Sequence, residues 1–184
     1  KNKPNYVCLS VTTPNYLTCI EIAKAIRAVI KCKIIAGGNH ITDNPDEELS
    51  RQTFDYLIVG DGETAIKQIA EGKIENQLII SEKVNVDEMP WVDYDGLKFE
   101  RYNMTLEGKK CAGIIASRGC IYSCAFCGSA KIKKWRPRNV DDLIQEMKFL
   151  IDTYQIEAFY FYDDIFSFDK KRTIEICKLI IERL

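Results

Sequence analysis

Short apolar runs alternate with amphipathic stretches from the start of the chain to about Val86. The runs Tyr6 to Val11, Lys33 to Ala36, Tyr56 to Val59 and Gln77 to Ile80 have the length and composition that predict strands. Between the first two, Ile22, Ala23, Ile26 and Ile30 recur at helical spacing, and Thr18-Cys19-Ile20-Glu21 has the form of a capping box that opens a helix. Asn44-Pro45-Asp46-Glu47-Glu48 predicts a second helix, because proline suits the first helical position and carboxylates favour the positive end of the helix dipole. Glu63 to Ala70 predicts a short third one. Strand and helix in alternation predict a parallel sheet with crossover helices.

The pattern breaks between about Asp87 and Lys110, where Pro90, Trp91, Asp93, Asp95, Gly96 and Gly108 occur without sustained periodicity. This reads as an ordered linker, with Trp91, Tyr94, Phe99 and Tyr102 packing between domains or one of them closing over a cofactor. Alternation then resumes. Ala112 to Ala116 predicts a strand, Asn139 caps a helix with Asp141 and Asp142 in its first turn, and Leu143, Met147, Leu150 and Tyr154 repeat at helical spacing as a core face. Ala158 to Tyr162 is a near-continuous apolar run, expected of a strand buried on both faces, and Lys170 to Leu184 predicts a last helix.

Composition narrows the class. The chain has 184 residues, 46% hydrophobic and 29% charged, with net charge −1, which is enough apolar material for a sizeable core and no basic surplus to point to nucleic acid. No apolar run approaches the length of a membrane span. The 8 cysteines are diluted in a long chain without a signal peptide, so the expectation is a reducing cytoplasm rather than a disulfide framework. Cys8, Cys19, Cys32 and Cys177 fall within predicted elements and read as small apolar residues, as does Cys111.

The remaining cysteines carry chemistry. Cys120, Cys124 and Cys127 stand in Ser117-Arg118-Gly119-Cys120-Ile121-Tyr122-Ser123-Cys124-Ala125-Phe126-Cys127-Gly128, directly after a predicted strand. Thiolates select soft metals and iron–sulfur clusters, and three of them leave one coordination position of a four-iron cluster open. A structural zinc site needs a fourth ligand, for which Cys111 is the nearest spare and His40 the only histidine. An electron carrier of the ferredoxin kind usually shows a fourth cysteine close behind, and none follows before Cys177.

With the aromatic Phe126 before the last thiolate, this motif resembles that of the radical S-adenosylmethionine enzymes. The resemblance implies a [4Fe-4S] cluster on Cys120, Cys124 and Cys127, whose open iron takes the amino and carboxylate groups of S-adenosylmethionine. An electron, from an external donor such as flavodoxin or ferredoxin, then splits the sulfonium to methionine and a 5'-deoxyadenosyl radical that abstracts hydrogen. It also implies that Phe126 packs near the adenine or shields the cluster. Asp163-Asp164, at the carboxyl end of the last predicted strand, is where an α/β barrel keeps functional residues, and either carboxylate is a candidate acceptor for the ammonium of S-adenosylmethionine. The bland reading of the pair is a solvated turn or a helix cap. Arg118, Arg136 and Arg138 are candidates to neutralise the cluster or the cofactor carboxylate, against plain surface solvation.

The first segment extends the resemblance. Ser10-Val11-Thr12, Gly37-Gly38-Asn39-His40 and Gly60-Asp61-Gly62-Glu63 each follow a predicted strand, where open parallel sheets bind ligands. Their order, followed by Met89-Pro90-Trp91 and Tyr94-Asp95, is similar to the cobalamin-binding subfamily of these enzymes. In that subfamily the domain is flavodoxin-like, and Ser10, Thr12, Gly37 and Gly38 map onto the pocket for the nucleotide tail of cobalamin. His40 follows the glycine pair and is read as a turn residue, not a cobalt ligand.

The expected fold is therefore α/β: a partial flavodoxin-like parallel sheet over residues 1–86, a linker over 87–110, and over 111–184 the first strand–helix units of a partial TIM-like barrel. Relative to complete members of the family the chain looks cut at both ends, which predicts self-association through an unpaired strand edge. The expected parent function is cobalamin-dependent methyl transfer to a small-molecule substrate. Alternatives are a radical cyclase or rearrangement enzyme, a methylthiotransferase, and a non-catalytic iron–sulfur or cofactor-binding module.

Overall fold

The computed structural model describes residues 3–127 and 134–184, apart from the side chain of Ser50. They fall into two compact units, one running to Val84 and one from Asn85 to the end, with Phe126 and Cys127 grouped with the first. In the first unit β1 (Tyr6–Ser10), β2 (Lys33–Gly37), β3 (Tyr56–Val59) and β4 (Leu78–Ile80) form one sheet in the order β1-β2-β3-β4, and every pairing is parallel. Helices α1 (Tyr16–Val29), α2 (Asn39–Asp43), α3 (Pro45–Arg51) and α4 (Glu63–Ala70) make the crossovers.

Alternation along β2 explains the layering. Ile34 and Ala36 face one core with Tyr16, Cys19, Ile20 and Ala23 of α1 and with Leu57, while Ile35 faces the other with Ile58 and with Ala65 and Ile69 of α4. Helices thus cover both faces, and each fully buried aliphatic side chain contributes about 1.5–3 kcal/mol.

Three sequence expectations change here. The predicted capping box at Thr18 does not start α1: the chain enters through a 3-10 turn (Thr13–Asn15) whose box is made by Thr12 and Asn15, and the helix begins at Tyr16. Of the expected face Ala23 is buried and Ile26 half-buried against the core, whereas Ile22 is 42% exposed and Tyr16, Cys19 and Ile20 are buried in its place. Ile30 ends the helix in an extended conformation. Cys8 and Cys177 are exposed, not core residues, whereas Cys19 and Cys111 are buried. The short helix α2 has no counterpart in the sequence reading, being less than two turns long.

In the second unit β6 (Lys109–Ile114) pairs in parallel with β9 (Ala158–Phe161), and β5 (Thr105–Leu106) adds an antiparallel edge to β6. Between β6 and β9 lie the small antiparallel pair β7 (Ser117–Arg118) and β8 (Arg136–Pro137) and helix α5 (Val140–Tyr154). Helix α6 (Lys170–Arg183) closes the element order. Asn139 caps α5 by accepting from the Asp142 N–H at 3.1 Å, and Leu143, Met147, Leu150 and Tyr154 are buried as their spacing predicts. Ile114, Ala116, Leu143, Ile144, Met147 and Ile176 form the core between β6, α5 and α6.

The predicted burial of the last strand on both faces is not met among the described residues: α5 and α6 cover one face, and Tyr160 and Tyr162 on the other are 48% and 58% exposed. The aromatic residues of the linker find partners within this unit. Tyr94, Phe99 and Trp91 pack with Phe149, Leu150 and Tyr154 of α5, and Tyr102 is 54% exposed.

Candidate functional site

In the first unit the parallel register brings the carboxyl ends of β1 and β2 side by side. Ser10 is the register partner of Gly37, the Val11 N–H donates to the Gly37 carbonyl at 2.7 Å, and the His40 N–H donates to the Val11 carbonyl at 3.1 Å. Ser10, Thr12, Gly37 and Gly38 therefore gather at one sheet end, with the Ser10 and Thr12 side chains exposed. The glycines serve different ends. Gly38 has φ +99°, and a Cβ there would stand 2.7 Å from the Val11 carbonyl oxygen, so local backbone packing alone demands glycine. A Cβ at Gly37 would meet only ordinary contacts with Ile58 at 3.7 Å, so local packing does not demand glycine there.

Side chains that the sequence reading passed over secure this edge. Asn15 accepts from the Thr12 N–H at 2.7 Å and donates to the Ser10 carbonyl at 3.3 Å. The Gly60 N–H donates to Thr42 Oγ1 at 3.1 Å, tying the turn after β3 to α2. His40 is buried, its Nδ1 sharing a 3.2 Å hydrogen bond with Thr13 Oγ1 and its ring 4.1 Å from that of Tyr16. Tyr16 donates in turn to the fully buried Glu48, and burial followed by that bond raises the phenol above its usual range.

After β6 ends at Ile114 the chain passes through Ala116 into β7 and on to the cysteines. Cys120 is half-buried, Cys124 and Cys127 are exposed, all are free thiols, and the Tyr122 N–H donates to Cys120 Sγ at 3.4 Å. Among the described residues no group of three or more Cys, His, Asp or Glu side chains is drawn together closely enough to hold a metal ion. The fit of these cysteines to a cluster thus rests on donor chemistry: three free thiols on one stretch of chain, two of them open to solvent, are the soft ligand set that iron and sulfide require. Phe126 is 93% exposed.

The aspartate pair divides. Asp163 accepts from the Ala116 N–H at 2.9 Å and from the Ser117 hydroxyl, whereas Asp164 is exposed. Of the three arginines, Arg138 is committed to the protein, donating to Glu146 and to Asp142 at 2.6 Å each and to the Ile115 carbonyl at 3.1 Å. Burial works against its charge, but the two carboxylates outweigh it and raise the guanidinium pKa. Arg136 is buried and Arg118 is half-buried.

Beside this network lies a cavity of about 270 Å³, lined by Met89, Trp91, Ile115, Arg118 and Tyr162 among others. Its polar wall is well satisfied: Tyr94 donates to Glu146 at 2.6 Å and Trp91 Nε1 donates to Asp142 at 2.9 Å. Burial, then the Glu146 bond, raises the Tyr94 phenol, and the Asp95 bond pushes Tyr154 up to about 12. Among the described residues no helix is long and apolar enough to cross a membrane.

No protein-family model matches the chain. It is 28% identical over 199 aligned positions to an uncharacterized methyltransferase of Pyrococcus horikoshii, covering 96% of this chain and 43% of that protein. It is 22% identical over 205 positions to an anaerobic magnesium-protoporphyrin IX monomethyl ester cyclase of Cereibacter sphaeroides, covering 98% of this chain and 34% of the cyclase. Among solved structures, a radical S-adenosylmethionine methyltransferase, TsrM, from Kitasatospora setae with tryptophan and an analogue of S-adenosylmethionine bound superposes with a TM-score of 0.71 at 18% identity, over 100% of this chain and 41% of that one. The same protein with cobalamin and a [4Fe-4S] cluster gives 0.69. The chain spans well under half the length of these relatives.

Proposed function

We infer that this chain, whose α/β fold is that of the Kitasatospora methyltransferase, belongs to the cobalamin-binding radical S-adenosylmethionine enzymes and forms part of a methyltransferase acting on a small molecule. The observation that carries the reading is a conjunction: the likeness runs through the whole chain, and the stretch that follows β6 holds Cys120, Cys124 and Cys127 at the spacing of an open cluster. When bound, the cluster and S-adenosylmethionine supply one-electron cleavage to a carbon radical, and cobalamin supplies the methyl group.

Cys120, Cys124 and Cys127 would hold the cluster. Asp164, exposed beside the engaged Asp163, is the acceptor offered to the cofactor's ammonium, and the open ring of Phe126 is available to adenine. Ser10 and Thr12 would bond the cobalamin tail while Gly37 gives it room; Gly38 holds the turn that positions them. An external donor of the flavodoxin or ferredoxin kind would deliver the electron. Similarity to the cyclase favours a second reading in which the same radical start leads to ring closure.

The test is anaerobic reconstitution with iron and sulfide, then electron paramagnetic resonance of the reduced protein with and without S-adenosylmethionine. The expected result is a [4Fe-4S] signal that changes on adding S-adenosylmethionine and disappears in Cys124→Ala. Zinc as the only metal bound, or a signal indifferent to S-adenosylmethionine, would refute the reading.

A further inference from the structure

Two charged side chains outside the cysteine motif meet at the root of the loop that carries it. Ala116, fully buried, is where the chain turns from β6 toward the cysteines. Asp163 takes the Ala116 N–H at 2.9 Å on one carboxylate oxygen and the hydroxyl of the buried Ser117 on the other. From α6, Arg172 reaches the same spot: one terminal nitrogen donates to the Ala116 carbonyl at 2.9 Å and to the Arg138 carbonyl at 2.8 Å. The Arg138 N–H also donates to the Ala116 carbonyl at 2.9 Å.

Ala116 precedes the antiparallel pair β7–β8 on the way in, and Arg138 follows it on the way out. A single guanidinium therefore staples the two stems of the loop, and a single carboxylate fixes the ingoing stem to the end of β9. Neither contact is a surface ornament. Arg172 is 9% exposed, and burial lowers its pKa against the opposing field of Asp163. A cation is kept out of water only where its donors are used, and a planar guanidinium serves two converging carbonyls from one position in a way that an ammonium on a flexible stem does not. Removal of Asp163 takes away the acceptor of the buried Ala116 N–H, and removal of Arg172 leaves the Ala116 carbonyl with the Arg138 N–H alone.

We propose that Asp163 and Arg172 are positioning residues for the cluster loop, holding its stems shut so that Cys120, Cys124 and Cys127 are presented from a fixed base. The proposal rests on those cysteines being the cluster ligands. Asp163 acts through the Ala116 N–H and the Ser117 hydroxyl.

Two readouts on wild type, Asp163→Asn, Asp163→Ala and Arg172→Lys test it. In the metal-free chain, hydrogen exchange of the Ala116 and Arg138 amides should quicken about tenfold in Asp163→Ala and Arg172→Lys while α5 amides keep their rates. After reconstitution, iron should be lost to a chelator about tenfold faster in the same variants, as for other residues that support metal ligands, with an altered resonance signature in the fraction still loaded. Asp163→Asn keeps one acceptor for the Ala116 N–H and should fall between, which preserves the test if Asp163→Ala fails to fold.

Wild-type rates in the variants overturn the proposal. So does uniform acceleration of every amide with an unaltered signature, which marks a merely structural role. If wild type takes up no cluster while the stem amides still respond, the cluster reading has failed and the positioning role with it, though the staple itself stands.

Discussion

Gly37 and Gly38 are adjacent and chemically identical, yet the geometry assigns them opposite sensitivities. Gly38→Ala would have to adopt φ +99° and set a Cβ 2.7 Å from the Val11 oxygen and 3.0 Å from the Val11 nitrogen, both backbone atoms of the strand-end turn. Left-handed backbone costs an L-residue about 1–2 kcal/mol. Overpacking adds about 1–3 kcal/mol, and here no flexible side chain can give way. The sum, about 2–5 kcal/mol, is a large share of the roughly 5–15 kcal/mol that holds an ordinary domain together. Gly37→Ala meets Ile58 at 3.7 Å with no backbone strain, so its stability should change by less than about 1 kcal/mol and could rise through the stiffer unfolded chain. The assay is urea unfolding followed by hydrogen exchange of the β2 and β3 amides, paired with a cobalamin titration. Gly38→Ala should unfold the first unit at much lower urea, whereas Gly37→Ala should keep the midpoint and weaken cobalamin. A stable Gly38→Ala beside a destabilised Gly37→Ala would refute the reasoning about this sheet end.

Tyr94→Phe removes the 2.6 Å bond to the buried Glu146 and leaves that carboxylate leaning on Arg138 alone, so the second unit should lose about 1.5–3 kcal/mol in chemical denaturation; a loss under about 0.5 kcal/mol would contradict the assigned network. Asp55 supplies a pH dependence. Burial tends to raise its pKa, but the Ile34 N–H at 2.8 Å, then Lys33 and Arg27, prevail and hold it below the ordinary carboxylate value. A depressed folded-state pKa gives stability that is complete above the unfolded value of about 4 and is lost as pH falls through the folded one. Urea midpoints of the first unit should be level above about pH 5 and drop below it, and Asp55→Asn should flatten that acid limb.

Much of this architecture is legible in the amino-acid order because hydrophobic period and cap chemistry act locally. Leu143, Met147, Leu150 and Tyr154 announce the buried stripe of α5, and Asn139 announces its start. The misreadings arise where distant contacts decide. Thr18 and Glu21 fit a capping box, but Asn15 bonds both Ser10 and Thr12 and starts the helix earlier. Trp91 and Tyr94 lie in an aperiodic stretch, and only the fold reveals that Asp142 and Glu146 receive them. Glu146 did carry a signal, since it stands one place before Met147 on the apolar stripe, where a charge persists only if paired. Arg172 carried none: within Lys170-Lys171-Arg172 it reads as one more solvated cation, and its burial depends on carbonyls thirty and more positions away.

The order of pairing has a consequence for how the polypeptide assembles. In the first unit each strand pairs with the next one in sequence, so the sheet can grow strand by strand as the chain emerges from the ribosome. The parallel pair of the second unit cannot. β6 must wait until the whole cysteine stretch and α5 have been made before β9 exists to pair with it, and the entropy of closing that span must be met before the pairing returns anything. The staple at Ala116 forms later still, because Arg172 is synthesised after β9. The thiols of Cys120, Cys124 and Cys127 therefore emerge before the residues that close the base of their loop, and the stems stay unpinned until Arg172 has been made.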